Sequence, residues 1–117
     1  IIGSSYKNII VKSVNYYDVN SYLNAADYGI MLRRNDLTNN AASPTKFAEY
    51  CLSGIKIITT SGVTDFNKYK MSCNNIIDVN DFDLNSDSKV SRVKVFNFYK
   101  KNISRESFID TYKLIYN

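Results

Sequence analysis

Apolar residues in this chain fall in short consecutive runs, separated by stretches with helical spacing. The runs are Asn8 to Val14 (NIIVKSV), Tyr28 to Leu32 (YGIML), Ile55 to Thr60 (IKIITT) and Ile76 to Val79 (IIDV). Each is β-branched or apolar on successive positions, the pattern of a strand covered on both faces. Ile1-Ile2-Gly3 reads as the tail of a further strand entering a glycine turn. Val19, Tyr22, Leu23 and Ala26 fall at i, i+3, i+4 and i+7, which predicts a short helix with one buried face and Asp18 as its N-cap. Residues 44 to 53 form a second helix packed through Phe47, Tyr50, Cys51 and Leu52. Ser43 caps it, Pro44 takes its first position, and Gly54 stops it.

The remaining stretches follow the same logic. Asp36 to Ala42, with Leu37 as its one large apolar residue, reads as a loop. Ser61-Gly62 turns the chain into a helix over 64–71, and Asn80 to Ser88 is a polar, acidic loop. Val90 to Tyr99 is helical, and a last helix starts at Ser104, with Ile103 and Phe108 spaced as a hydrophobic staple. Strand, helix and strand joined this tightly make a right-handed βαβ unit. The expectation is an α/β fold, a Rossmann-like parallel sheet flanked by helices.

Composition narrows the function. At 117 residues the chain is one domain with a single core. Fifteen basic against eleven acidic residues leave a net charge of +4, scattered except at Arg33-Arg34 and Lys100-Lys101. A nucleic-acid binder shows a denser basic face. The charge is compatible with an anionic small ligand or an acidic membrane surface. With no histidine and two cysteines, the chain has neither a disulfide framework nor an evident zinc site. A Ser–His or Cys–His nucleophile cannot be assembled from it. Any general base is a carboxylate or comes from a partner segment. No apolar run approaches the ~20 residues that span a bilayer, and no signal peptide is visible. The expected setting is cytoplasmic.

The candidate chemistry sits between Asn39 and Gly62. Ser43 and the free N–H groups of Thr45 and Lys46 lie at the positive end of a helix dipole, which suits an anion. The Lys46 ammonium adds a mobile charge, and Ala41-Ala42 lets a ligand approach the backbone. Glu49 lies four residues beyond Thr45, about 6 Å along the axis at ~1.5 Å per residue. That matches the separation of a diphosphate from the ribose hydroxyls of one nucleotide, and a carboxylate accepting both hydroxyls is a standard means of holding ribose. Arg33 and Arg34 follow a buried strand at its carboxyl end, where open α/β sheets bind ligands. The same residues also fit a plainer reading: a solvated strand exit, and an i, i+3 surface pair of Lys46 with Glu49.

Ala25-Ala26-Asp27, Ser43-Pro44, Lys46, Glu49-Tyr50 and Gly54, with Ile57-Ile58 after them, resemble the C-terminal domain of GT-B glycosyltransferases of family four. There a helix ending in "aaD" leads to a strand, a loop, an "SPxKxxEYxxxG" helix and a further strand. The resemblance is good over residues 1–62 and looser beyond. It implies a donor-binding half for a nucleotide-diphosphate sugar. Ser43, Thr45, Lys46 and Arg33 would meet the diphosphate, Glu49 the ribose, and the loop with Asn40, Ala41 and Ala42 the donor sugar. The implied activity is a hexosyl-type transfer to a surface polysaccharide or lipid-linked acceptor, with no metal and no other cofactor. The full enzyme would work in the cytoplasm, at the inner face of the membrane.

The chain departs from that family in two places. Many members carry two glutamates eight positions apart; the first falls here on Ala41. The family's first strand and helix, and its acceptor-binding N-terminal domain, have no counterpart in this sequence. The expectation is therefore an N-terminally truncated donor domain over 1–117, with no catalytic residue of its own and a missing N-terminal domain or partner chain. Its strands at 8–14 and 28–32 would have exposed edges. The alternative is a non-catalytic α/β module that binds a nucleotide or a protein.

Overall fold

The computed structural model describes residues 7–41, 45–60, 69, 73–85 and 90–103, without the side chains at 40, 41 and 103. In chain order they form a 3-10 turn Tyr16–Asp18, α1 Val19–Ala25, β1 Tyr28–Met31, α2 Leu37–Ala41, α3 Thr45–Leu52, β2 Lys56–Thr59, β3 Ile76–Asp78 and α4 Arg92–Ile103. The three strands make one parallel sheet in the order β1-β2-β3. Tyr28 pairs with Lys56 and Met31 with Thr59, and Ile57 pairs with Ile76. The protein is an α/β fold with a parallel sheet flanked by helices, as the apolar runs at 28–32, 55–60 and 76–79 imply.

One core joins the sheet to α3 and α4. Met31, Ile57 and Ile76 meet Phe47 and Cys51 of α3 and Val95 and Tyr99 of α4. The Tyr99 ring is edge-on to Phe47 at 6.1 Å and to Phe98 at 5.1 Å, contacts each contributing about 0.5–1.5 kcal/mol beyond area burial. The polar groups inside are satisfied. Buried Asn75 accepts the Ile57 N–H through its carbonyl at 2.7 Å, donates Nδ2 to the Ile55 carbonyl at 3.4 Å, and accepts the Tyr99 hydroxyl at 3.3 Å.

Gly54 stops α3 as expected. It adopts φ +69°, its N–H donates to the Cys51 carbonyl at 3.1 Å, and the Ile55 N–H donates to the Tyr50 carbonyl at 3.3 Å. This pair of bonds is the Schellman arrangement. The backbone carbonyl of Arg92 lies where a Gly54 side chain would start, so the end of α3 meets the beginning of α4. Phe47, near the start of α3, meets Tyr99 toward the end of α4. The two helices therefore run antiparallel.

Five expectations are corrected. Asn8 to Val14 is not a strand: residues 9–15 have no regular secondary structure and no strand pairing, and Ile10 and Val11 are 81% and 66% exposed. An apolar run becomes a strand only when a neighbour completes its ladder, and among the described residues β1 pairs with β2 alone. The face of α1 is only half-buried, because Tyr22 turns toward the segment before the helix, where the Lys12 ammonium lies 5.7 Å from its ring centre. Asp18 makes no side-chain cap; Asn15 accepts the Tyr17 N–H instead, at the head of the 3-10 turn. Residues 37–41, expected in a loop, form α2, because Asp36 accepts the Asn39 N–H at 2.8 Å and so caps that turn. The expected helix at 90–99 begins at Arg92, with Ser91 accepting the Lys94 N–H, and continues to Ile103. The expected elements at Ile1–Gly3, Ser43-Pro44, Ser61-Gly62, the last helix from Ser104, and 64–71 apart from Tyr69 lie outside the described residues.

Candidate functional site

Two polar regions come from the sequence-predicted residues, and they are separate. The first is the carboxyl edge of the sheet. The backbone of Arg33 is tied to Thr60, whose hydroxyl accepts the Arg33 N–H at 3.0 Å and donates to the Arg33 carbonyl. Thr59 makes a similar tie, donating to the Met31 carbonyl at 2.9 Å. β1 and β2 thus leave the sheet side by side. The half-buried Arg33 guanidinium donates to Asn39 Oδ1 at 3.1 Å, and Asn39 Nδ2 donates to Asp36 at 2.9 Å. At the end of β3, buried Asp78 accepts both the N–H and the side-chain amide of Asn80.

The second region is a cavity of about 540 Å³ between α1, α3 and α4. Val19, Leu23 and Leu52 give it an apolar wall. Tyr16, Tyr17 and Phe96 add aromatic rings, and Asn20, Glu49 and Lys100 add polar heads. The Lys100 ammonium lies over the Phe96 ring, 5.7 Å from its centre, a cation–π contact that holds it beside the apolar wall. The volume falls in the range of small-molecule sites, about 300–1,000 Å³.

Glu49 is, among the described residues, the one sequence-predicted site residue in this wall; Thr45 and Lys46 are exposed at the start of the same helix, and Arg33 belongs to the sheet edge. Ser43 and Ala42 lie outside the described residues, as do the side chains of Asn40 and Ala41, whose backbone is the end of α2. Sequence reasoning did not place Tyr16, Tyr17, Phe96 or Lys100 in a site. The paired tyrosines and the Lys100-Lys101 pair were the visible signals, but only the antiparallel course of α4 brings Lys100 toward Glu49.

The cysteines do not supply a nucleophile. Burial pushes the Cys51 thiol up to about 12, against the opposing hydrogen bond from Tyr99, and burial likewise raises Cys73. Neither holds appreciable thiolate at neutral pH. Among the described residues no group of three or more His, Cys, Asp or Glu is placed to hold a metal ion, and no helix is long and apolar enough to cross a membrane.

No family model, no curated protein and no solved structure matches this chain. The parallel sheet and its helices establish a generic α/β fold; the glycosyltransferase resemblance rests on the motif residues alone.

Proposed function

We propose that the chain is the donor-binding domain of a GT-B glycosyltransferase, holding a nucleotide-diphosphate sugar for transfer to a surface polysaccharide or lipid-linked acceptor. The observation that carries this reading is Glu49, half-buried in the wall of an aromatic-lined cavity, one helical turn from Lys46. A carboxylate there accepts both ribose hydroxyls. The start of α3, with Thr45, Lys46 and the preceding Ser43, takes the diphosphate through backbone N–H groups, the helix dipole and the lysine charge. The same donors stabilise the leaving diphosphate as the glycosyl bond breaks. Arg33 extends that positive edge, and the chain around Asn40 to Ala42 approaches the sugar. The acceptor and its base come from another domain or chain, so this polypeptide binds donor without transferring it; the complete enzyme acts in the cytoplasm at a membrane face.

Thermal-shift measurements with UDP, GDP, CDP and their sugars test the proposal. A rise in Tm with a nucleoside diphosphate, lost in Glu49→Ala, is the expected result. Indifference to all of them favours the second reading, an α/β module whose partner is a protein.

A further inference from the structure

We infer that a second copy of this chain covers the outer face of the sheet, forming a two-fold symmetric dimer. The inner face is filled: Met31, Ile57 and Ile76 point into the core beneath α3 and α4. Side chains alternate along a strand, so Tyr28, Ile30, Ile58 and Ile77 point the other way. The register sets Ile30, Ile58 and Ile77 in one row across that outer face. Val79 prolongs the ladder, its N–H donating to the Thr59 carbonyl at 2.7 Å. Parallel sheets are buried on both faces, but this outer face is covered only in part. The chain after β3 returns over it and packs Phe82 edge-on against Tyr28 at 5.4 Å. Ile30 and Leu32 stay 65% and 56% exposed, and Leu84, two residues beyond Phe82, is 67% exposed. An apolar patch of this kind marks an interaction site.

The charges at its two flanks identify the occupant. The strand order β1-β2-β3 places Arg34, just after β1, and Asp81, just after β3, on opposite flanks of one carboxyl edge, both exposed. A two-fold axis parallel to the strands and passing over β2 sets β1 of each copy against β3 of the other, with the carboxyl edges together. Arg34 of each copy then faces Asp81 of the other, and Ile30 and Leu32 meet Val79 and Leu84. A surface that carries its own complement at its two flanks fits itself, the condition for an isologous contact. The apolar part is small, so the dimer exchanges with monomer. Glu49 and the rest of α3 lie on the inner side of the sheet, so this association does not depend on donor binding.

Sedimentation velocity over about 5 to 500 µM protein tests this, and a monomer–dimer equilibrium with its midpoint in that range is expected. Ile30→Asp is expected to raise the dissociation constant at least ~10-fold by placing a charge in the apolar contact. The position is exposed, so the circular dichroism melt of the dilute protein stays where it was. Arg34→Asp and Asp81→Arg each bring like charges together and weaken the dimer at least ~5-fold. The two combined restore opposite charges across the axis and return the constant to within ~2-fold of the original. A monomer at every concentration overturns the dimer. A dimer indifferent to Ile30→Asp, or a double reversal no tighter than the single ones, overturns it as well.

Discussion

The ring of Tyr50 occupies the space that a β-carbon on Gly29 would need: such an atom would sit 2.5 Å from Cδ2 and 2.6 Å from Cε2 of the ring. The missing side chain in the middle of β1 lets α3 lie close against the sheet, and α3 carries Glu49. Gly29→Ala is expected to destabilise the protein by about 1–3 kcal/mol, the usual cost of overpacking, read as a lower urea midpoint. Because the clash is with one ring, Gly29→Ala combined with Tyr50→Ala should cost clearly less than the sum of the two single changes. Strict additivity would show that the ring is not what limits the position.

Gly54 differs in kind, because its neighbour is backbone. A side chain there meets the Arg92 carbonyl oxygen at 2.5 Å while the residue holds φ +69°. The left-handed conformation alone costs a non-glycine residue about 1–2 kcal/mol, and the clash with α4 adds to it. Gly54→Ala is expected to lose more than ~2 kcal/mol of unfolding free energy. Gly54→Asn, which tolerates left-handed backbone but still carries a β-carbon, should recover little. Full recovery by asparagine in a denaturation series would mean that the contact with Arg92 is unimportant.

These two glycines also show what the sequence could disclose. Gly54 was legible, because a glycine directly after a helical pattern has one local explanation. Gly29 was not, since its reason is a ring twenty-one residues later. The same division runs through the fold. β1, β2 and β3 were readable because their apolar runs pair with one another, while Asn8 to Val14 carries the same kind of run and pairs with nothing described; pairing is a property of the neighbour. α2 was missed because asparagine and threonine are indifferent helix formers, and only the cap from Asp36 fixes the turn. In the site, Lys46 and Glu49 could be read from their spacing on one helix. Lys100 and Phe96 could not, being brought to the cavity by the packing of α4 on α3. Arg92 escaped notice likewise, although its guanidinium donates to the Asn24 and Ala26 carbonyls and so closes the end of α1.

The buried thiol and phenol at the core set the alkaline limit of stability. Burial raises Cys51 from 9.0 to about 12, and burial with the neighbouring Cys51 raises Tyr99. A folded-state value above the unfolded one means that the native protein keeps a proton the unfolded chain releases. The contribution is fully present below pH 9 and is lost as pH climbs from there toward about 12. Urea midpoints should be flat between roughly pH 6.5 and 8.5 with respect to these groups and fall above about 9. Tyr99→Phe should cost about 1 kcal/mol at neutral pH from the lost bond to Asn75 and should make the alkaline fall shallower. Both thiols should react slowly with a neutral alkylating reagent in native buffer at pH 8 and rapidly in urea.

The irregular segment before α1 leaves apolar side chains in water without strand pairing among the described residues, and Ile10 is 81% exposed. Substituting a residue in that state removes no core contact, so Ile10→Asp should change unfolding free energy by less than about 0.5 kcal/mol. The same substitution breaks an apolar, β-prone run that can pair with other chains, and should lower light scattering at high protein concentration. Proteolysis offers an independent check, because an exposed segment without regular secondary structure enters a protease cleft without prior unfolding. Trypsin should cut after Lys12 well before Lys56, which lies within β2 and reaches over the Tyr28 ring at 5.8 Å. Protection of Lys12 comparable to that of Lys56, together with marked destabilisation by Ile10→Asp, would mean that residues 9–14 are packed in solution and that β1 has a second neighbour there.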